Sequence, residues 1–545
     1  MAKSLILAAS AVASLLLARH VPEYSPPILW TFLGLYSVLL TSMFTYRTVL
    51  YPRFFSSIRH IPTPKGAHWL LGHFPEIFRN PTGTPHVKWV EELSNNEGLI
   101  RYIGLFGGER IMPCNAKTLS EVLHHKSYQF VKPPFMRESI GNILGLRGLL
   151  FAEGDEHRHQ RKLLLPAFSH SHIKNLVPSF WSISRDLAES ITSVVAAAEN
   201  GVPVIEMGRW CSLATLDIIG RAGFGYEFHA LETGSEDGES KNELAWAYNA
   251  VFKPTGWAKG MHIARIIVPG WFLASLPLRR NKEVRKASQT IKRISVEIIN
   301  DKKLKLAEKK STGGGDERDI LSIMLNSGNY HGEDGVEAMR DQMMTFLTAG
   351  HETTATAMMW GLHLLSLKEN RHIQLRLREE IRAAFPQGIP ENVSFEQIEA
   401  LKYLRNVTSE VLRVYPPVLL TARHAAEDTT LGGQFIPKGS HIVLVPWAIN
   451  RSKELWGEDA EVFRPERWEE GQMESNYSFM TFLAGPRGCI GNVFAKVEYK
   501  CLLAALIGRF DFAEAVEGRV VVIKSGVTGK PQDGIPLKVS VVPGW

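Results

Sequence analysis

The chain has 545 residues, 45% hydrophobic and 22% charged, with a formal net charge of +6. That length predicts either two domains or one large enzyme domain with appendages; the composition excludes a disordered or fibrous protein, and basic residues spread away from aromatics exclude a nucleic-acid stripe. The four cysteines, Cys114, Cys211, Cys489 and Cys501, form no CxxC pair and lie beside no histidine at zinc-ligand spacing, which excludes a disulfide framework and a zinc module and favours a reducing, cytosol-facing environment.

The first elements are apolar. Residues 4–18 are uncharged but short, and 28–46 supply nineteen uncharged residues, enough to cross a bilayer core as one helix. Arg47, Arg53, Arg59 and Lys65 follow, so the positive-inside rule places the remainder in the cytosol. The 4–18 run is either a second span or an interfacial segment. "IPTPKG" (61–66) reads as a stiff proline hinge, giving an anchor over 1–60 and a catalytic domain over 61–545.

Beyond the hinge, apolar spacing of three and four predicts helices over 157–165, 177–199, 283–309, 336–367, 369–384, 401–414 and 490–509. Strands are few: one near residue 100, "HIVLVPW" (441–447) and the closing "LKVSVVP". The fold class is mainly α with small peripheral sheets, and the absence of a βα alternation excludes a Rossmann domain. Charged stretches at 232–242 and 308–318 read as surface loops. A Trp-rich stretch, 245–280, is expected to dip in part into the membrane.

Four stretches carry chemistry. "GDEHRHQRKLLLPAFS" (154–169) sets His157 and Arg161 one helical turn apart, either as donors for an anion or as a solvated basic face. "MMTFLTAGHETTATAMMWGLHLL" (343–365) places Gly350, Glu352, Thr353 and Thr354 inside an apolar helix, where glycine and back-bonding threonines favour a local notch. "EVLR" pairs Glu410 with Arg413 at i, i+3, and "FRPERW" offers Arg467 as a third member. In "FLAGPRGCIG" (482–491), Cys489 sits among glycines just before a helix, where core residue, nucleophile and metal thiolate all remain open.

These motifs, in this order, make the chain resemble the cytochrome P-450 family of haem-thiolate monooxygenases, of the membrane-bound microsomal type and similar to fungal members. "FLAGPRGCIG" matches FxxGxRxCxG, "AGHETT" matches AGx(D/E)TT, "EVLR" matches ExxR, and "PERW" matches a PERF-like segment. The resemblance implies haem b with Cys489 as its axial thiolate, Gly485 and Gly488 for close backbone approach, Phe482 packed near the sulfur, and His157, Arg161, Arg423 and Arg487 on the propionates. Thr353 and Glu352 would handle protons, while Glu410, Arg413 and Arg467 would form a structural network. His157 departs from the family, which usually has Trp there.

By the same resemblance, Phe135, Met136, Ile140, Phe346, Ala349, Val418, Leu419, Leu420 and Val527 line an apolar pocket for a lipophilic substrate. Arg158, Lys162, Lys496 and Lys500 form a proximal basic patch for an NADPH-cytochrome P-450 reductase, with cytochrome b5 as a further donor, because the chain lacks a GxGxxG fold of its own. Expected function is insertion of one atom of O2 into a terpenoid, polyketide or related secondary metabolite at the endoplasmic reticulum membrane. A fatty-acid hydroxylase is the competing substrate class. A haem-thiolate isomerase or dehydratase and a non-enzymatic haem sensor are disfavoured by the intact Glu352 and Thr353.

Overall fold

The computed structural model describes residues 2–545 apart from 21–26, 94–96, 135, 138–140, 142–143, 200, 233–242, 253–267, 269, 312–318, 328–331, 472–474 and 525–527. Two apolar helices open the chain, α1 (Ala2–His20) and α2 (Ile28–Thr45). Residues Ile28–Phe55 form one continuous helical run long and apolar enough to cross a membrane, with none of its most apolar window buried. The run ends in a π-helical turn, Tyr46–Phe55, containing Pro52.

That turn already belongs to the globule. Arg101 donates to the Pro52 carbonyl, Ser56 Oγ donates to Glu109 at 2.7 Å, and Arg101 pairs with Glu109 at 2.6 Å. The proline segment is likewise tied down: Ile61 is buried, the Pro62 carbonyl accepts the Arg101 N–H at 2.8 Å, and Pro64 O contacts buried His73 at 3.0 Å. The 61–66 stretch is therefore packed structure where a hinge was expected, because its carbonyls satisfy buried donors.

A five-stranded sheet follows, in the order β1-β2-β8-β5-β3, built from β1 (Leu99–Ile103), β2 (Glu109–Pro113), β3 (Phe130–Val131), β5 (Thr421–Ala425) and β8 (His441–Leu444). Only β2 and β8 run parallel. β4 (Val204–Glu206) joins β12 (Pro536–Val541) and β9 (Phe510–Glu514) in a second sheet; β6 (Thr429–Leu431) with β7 (Gln434–Ile436), and β10 (Ile523–Lys524) with β11 (Lys530–Pro531), form two-stranded ribbons.

Helices carry the larger core: α3 (Gly154–Leu164), α4 (His170–Ala197), α5 (Met207–Ile218), α6 (Arg279–Ser311), α7 (Gly332–Ser366), α8 (Arg371–Ala384), α9 (Lys402–Val414) and α10 (Asn492–Arg509). Their starts follow the sequence, as Ser169 Oγ caps the His172 N–H of α4 and the Glu206 carboxylate caps two N–H groups of α5. Buried Phe180, Trp181, Leu187, Met343, Trp360 and Leu503 join the helices, while Trp89, Ile111, Phe130 and Ile442 make a separate core under the five-stranded sheet. Each such fully buried side chain contributes about 1.5–3 kcal/mol. The expected loop at 232–242 falls almost wholly outside the described residues, as does much of 245–280; of the one expected at 308–318, residues 308–311 continue α6 instead and 312–318 lie outside the described residues.

Candidate active site

α7 crosses the helical core. Gly350 lets α7 approach the turn after α5, since a Cβ there would lie 2.9 Å from Ile219. The notch expected from the sequence is not a break, and α7 is continuous from Gly332 to Ser366. Its threonines instead divide their hydroxyls. Thr353 Oγ1 donates to the Ala349 carbonyl four residues back at 2.7 Å, whereas Thr354 Oγ1 turns away to the Glu498 carboxyl of α10 at 2.9 Å. Residues 341–348 are buried, yet Ala349 is exposed and Thr353 half-buried, so this stretch of α7 borders open space.

Glu352 does not stand free beside Thr353. Its Oε2 lies 2.6 Å from Lys530 Nζ on β11, and Thr528 also bonds it. Burial favours the neutral acid, but Lys530 and the hydrogen bonds outweigh it and hold the carboxyl below its ordinary range. Lys530 was missed in the sequence because nothing local marks a lysine on a distant strand.

The loop that carries Cys489 is clamped from three directions. The Cys489 N–H donates to Phe482 O at 2.8 Å, the Gly488 N–H donates to Gly485 O at 3.0 Å, and Arg161 Nη1 on α3 donates to Gly488 O at 2.7 Å. Gly485 has φ +70°, and a Cβ there would come within 2.1 Å of the Leu123 carbonyl, so only glycine fits. Among the four cysteines Cys489 alone is exposed. Although the residue keeps accessible surface, the protein packed around its sulfur desolvates the thiol and raises its pKa, opposed by the Gly491 N–H, Arg161 and Lys496, which favour the thiolate. Phe482 accepts from Cys489 through its carbonyl, and its ring packs toward Phe479 at 6.2 Å with Lys496 Nζ 5.1 Å from it.

Beside this loop the expected cations gather, with additions. Arg487 Nη1 donates to Phe130 O at 3.1 Å, Nη2 lies 2.5 Å from Glu153 Oε2, and Nε is buried without a hydrogen-bond partner. Arg423, buried on β5, donates to Ala422 O at 2.8 Å and is pushed down to about 10 by burial and by Arg487. His157 is buried with Nδ1 3.1 Å from Tyr128 Oη. Burial, then Arg487, Lys132 and Arg161, lower its pKa to about 4, so the ring is neutral at pH 7. In the tautomer where Tyr128 donates to Nδ1, the Nε2–H is left as a donor. Tyr128, Lys132 and Glu153 were missed, since each precedes α3 in segments without a motif.

Glu410, Arg413 and Arg467 come together in the structure. Glu410 and Arg413 are both fully buried and paired at 2.7 Å, and Arg467 reaches Glu410 at 3.4 Å. Trp468 Nε1 and the Arg464 N–H also donate to Glu410, while Arg413 satisfies the carbonyls of Asn450 and Ala460. This network fixes the segment leading to the Cys489 loop, as Asn450 in turn bonds Thr481 and the Met480 N–H.

Two sequence expectations are corrected. Lys500 is buried against Glu399 and cannot join a surface patch; Arg158 and Lys162 remain exposed, and Lys496 is half-buried over Phe479 and Phe482. Leu419 is core, packed against Gly529, and Phe346 is buried against Phe168 at 5.4 Å; Ala349 and Leu420 keep exposed surface, and Met136 and Val418 are half-buried. Phe135, Ile140 and Val527 lie outside the described residues.

A soft sulfur donor with open surface, set among the described residues beside a cluster richer in cations than in carboxylates, suits a metal macrocycle bearing carboxylates. The unpartnered Arg487 Nε fits that reading, because a buried guanidinium N–H needs an acceptor.

The family model described as cytochrome P450 matches residues 62–538. The cytochrome P450 monooxygenase ALT8 of Alternaria alternata is 35% identical across 96% of this chain and 95% of its own length. Two further relatives are both 36% identical. The monooxygenase sphH of Aspergillus fumigatus covers 94% of each chain, and FUM15 of Gibberella moniliformis covers 98% of this chain and 97% of its own.

Proposed function

The chain belongs to the cytochrome P450 family, whose members bind haem through a cysteine thiolate, and from that membership we propose that Cys489 is this ligand and that the enzyme oxygenates a lipophilic small molecule. The observation that carries the reading is Cys489 itself, the exposed cysteine on a glycine loop clamped by Phe482 and Arg161. Arg161, Arg423, Arg487 and the Nε2–H of His157 would hold the haem propionates. Bound haem supplies dioxygen activation and oxygen transfer.

The chain's own residues bind, orient and move protons. The Gly491 N–H, Arg161 and Lys496 favour the Cys489 thiolate against the desolvation of its sulfur. Thr353 holds its proton on the Ala349 carbonyl, and rotation about χ1 turns that O–H toward the open side of α7. Glu352 can pass a proton only after its carboxylate leaves Lys530, a condition the sequence reading lacked. Thr353→Ala is therefore expected to waste reducing equivalents as hydrogen peroxide, measured as peroxide released per NADPH oxidised; full coupling would contradict the role.

Ala349, Val418 and Leu420 favour an apolar substrate. Similarity to fungal monooxygenases over nearly the whole length supports a biosynthetic oxidation, with a terpenoid or polyketide ahead of a fatty acid. An NADPH-dependent reductase would dock near exposed Arg158 and Lys162, with cytochrome b5 a second donor. The apolar helix and the arginines after it suit the endoplasmic reticulum with the catalytic domain in the cytosol. Cys489→Ala is expected to abolish the reduced carbon monoxide band of a thiolate-ligated haem, and a retained band would sink the assignment. Product profiling with a coexpressed reductase identifies the substrate; turnover without NADPH would point to an isomerase.

A further inference from the structure

The cluster beside the Cys489 loop contains one acid that the proposed mechanism does not use. Glu153 precedes α3; its Oε1 accepts the Lys132 N–H at 2.9 Å, and its Oε2 meets Arg487 Nη2 at 2.5 Å. Lys132, Arg161, Arg423 and Arg487 share this neighbourhood, and Arg137 lies near enough to act on Lys132. They press on one another, since burial and then Arg487 and Arg423 lower the Lys132 amine, and burial and then Arg487 lower Arg423. Burial raises the Glu153 carboxyl, but the hydrogen bonds from Arg487 and the Lys132 N–H outweigh it and hold the group below its ordinary range, which favours the ionised form.

We propose that Glu153 is a positioning residue that sets the charge balance of the propionate site, offsetting one of its cations and so tuning both the hold on haem and the potential of its iron. The inference rests on the haem reading above. With two propionates present, Glu153 cancels one positive charge of the cluster; without it the site would carry about one more. A more positive surrounding favours both the dianionic group and the reduced, less positive iron.

The test uses the full-length, haem-loaded protein and three variants: Glu153→Gln, Lys132→Met and the double substitution. Two quantities are read, the reduction potential by spectroelectrochemical titration and the rate of haem transfer to apomyoglobin. In Glu153→Gln the potential is expected to move positive and haem transfer to slow by about three- to thirtyfold. Lys132→Met should move both the opposite way, and the double variant should return toward the parent. A structural role alone would not be corrected by removing a cation. An unmoved potential in Glu153→Gln, or a double variant that keeps the Glu153→Gln values, overturns the proposal. So does a Glu153→Gln chain that loads no haem and is not rescued by Lys132→Met. Arg161→Gln separates the two levels: faster haem transfer in it with a silent Glu153→Gln leaves the propionate site standing and removes only the role of Glu153.

Discussion

Glu352 shows how a single residue changes meaning once its partner is known. On α7 it reads as a proton donor for Thr353; in the fold it is a buried carboxylate held by Lys530. Lys530→Met removes the counter-charge and leaves the burial, so the Glu352 pKa should rise. The limb of the pH–turnover profile governed by this carboxyl is then expected to move to higher pH, a shift absent from Thr353→Ala. His157 changes differently. As neutral imidazole with Nδ1 accepting from Tyr128, it would keep one N–H for a propionate, much as an indole would. Tyr128→Phe is accordingly expected to loosen the ring and speed haem release several-fold, measured by transfer to apomyoglobin.

At the scale of elements, the Cys489 loop and the α9 network make opposite demands. Gly485 needs a positive φ and lies against the Leu123 backbone, which cannot give way, whereas a Cβ at Gly350 meets only the flexible end of Ile219. Gly485→Ala is expected to cost about 2–4 kcal/mol and most of the haem content, with Gly350→Ala much milder, checked by denaturant midpoints and haem absorbance. In α9, Glu410→Gln leaves Arg413 and Arg467 buried with a weakened partner. About 3–5 kcal/mol should be lost, because an uncompensated buried charge is costlier than the pair was favourable.

For the whole molecule, acid sensitivity follows from four buried histidines. His86, His157, His351 and His363 are lowered to about 3, 4, 4 and 4, in each case chiefly by burial. A depressed folded pKa means the unfolded chain binds more protons. The stability is full above the unfolded value of 6.5 and is lost as pH falls toward 4, by about 1.4 kcal/mol per unit for each group. Urea midpoints should therefore drop steeply between pH 6.5 and 5. The anchor has a similar logic. Removing residues 1–45 should leave the domain folded, whereas removing 1–60 strips the Pro52 and Ser56 contacts from β1 and β2 and should lower the melting temperature.

The sequence by itself determined what repeats locally: the amphipathic helices α3, α4 and α6 to α10, though not α5, the apolar span at 28–46, the Gly485 and Cys489 loop, and the i, i+3 pair of Glu410 and Arg413. Spacing along the chain is enough to read a helix face or a tight glycine turn, because the forces that shape them act within a few residues. Only the tertiary structure decided that Lys530 closes on Glu352, that Thr354 leaves its own helix for Glu498, that Lys500 is buried, and that Tyr128, Lys132 and Glu153 join the arginines. Those contacts join groups far apart in the chain, and the desolvation of a charge, which then fixes its partner and its pKa, exists only once the core has closed around it.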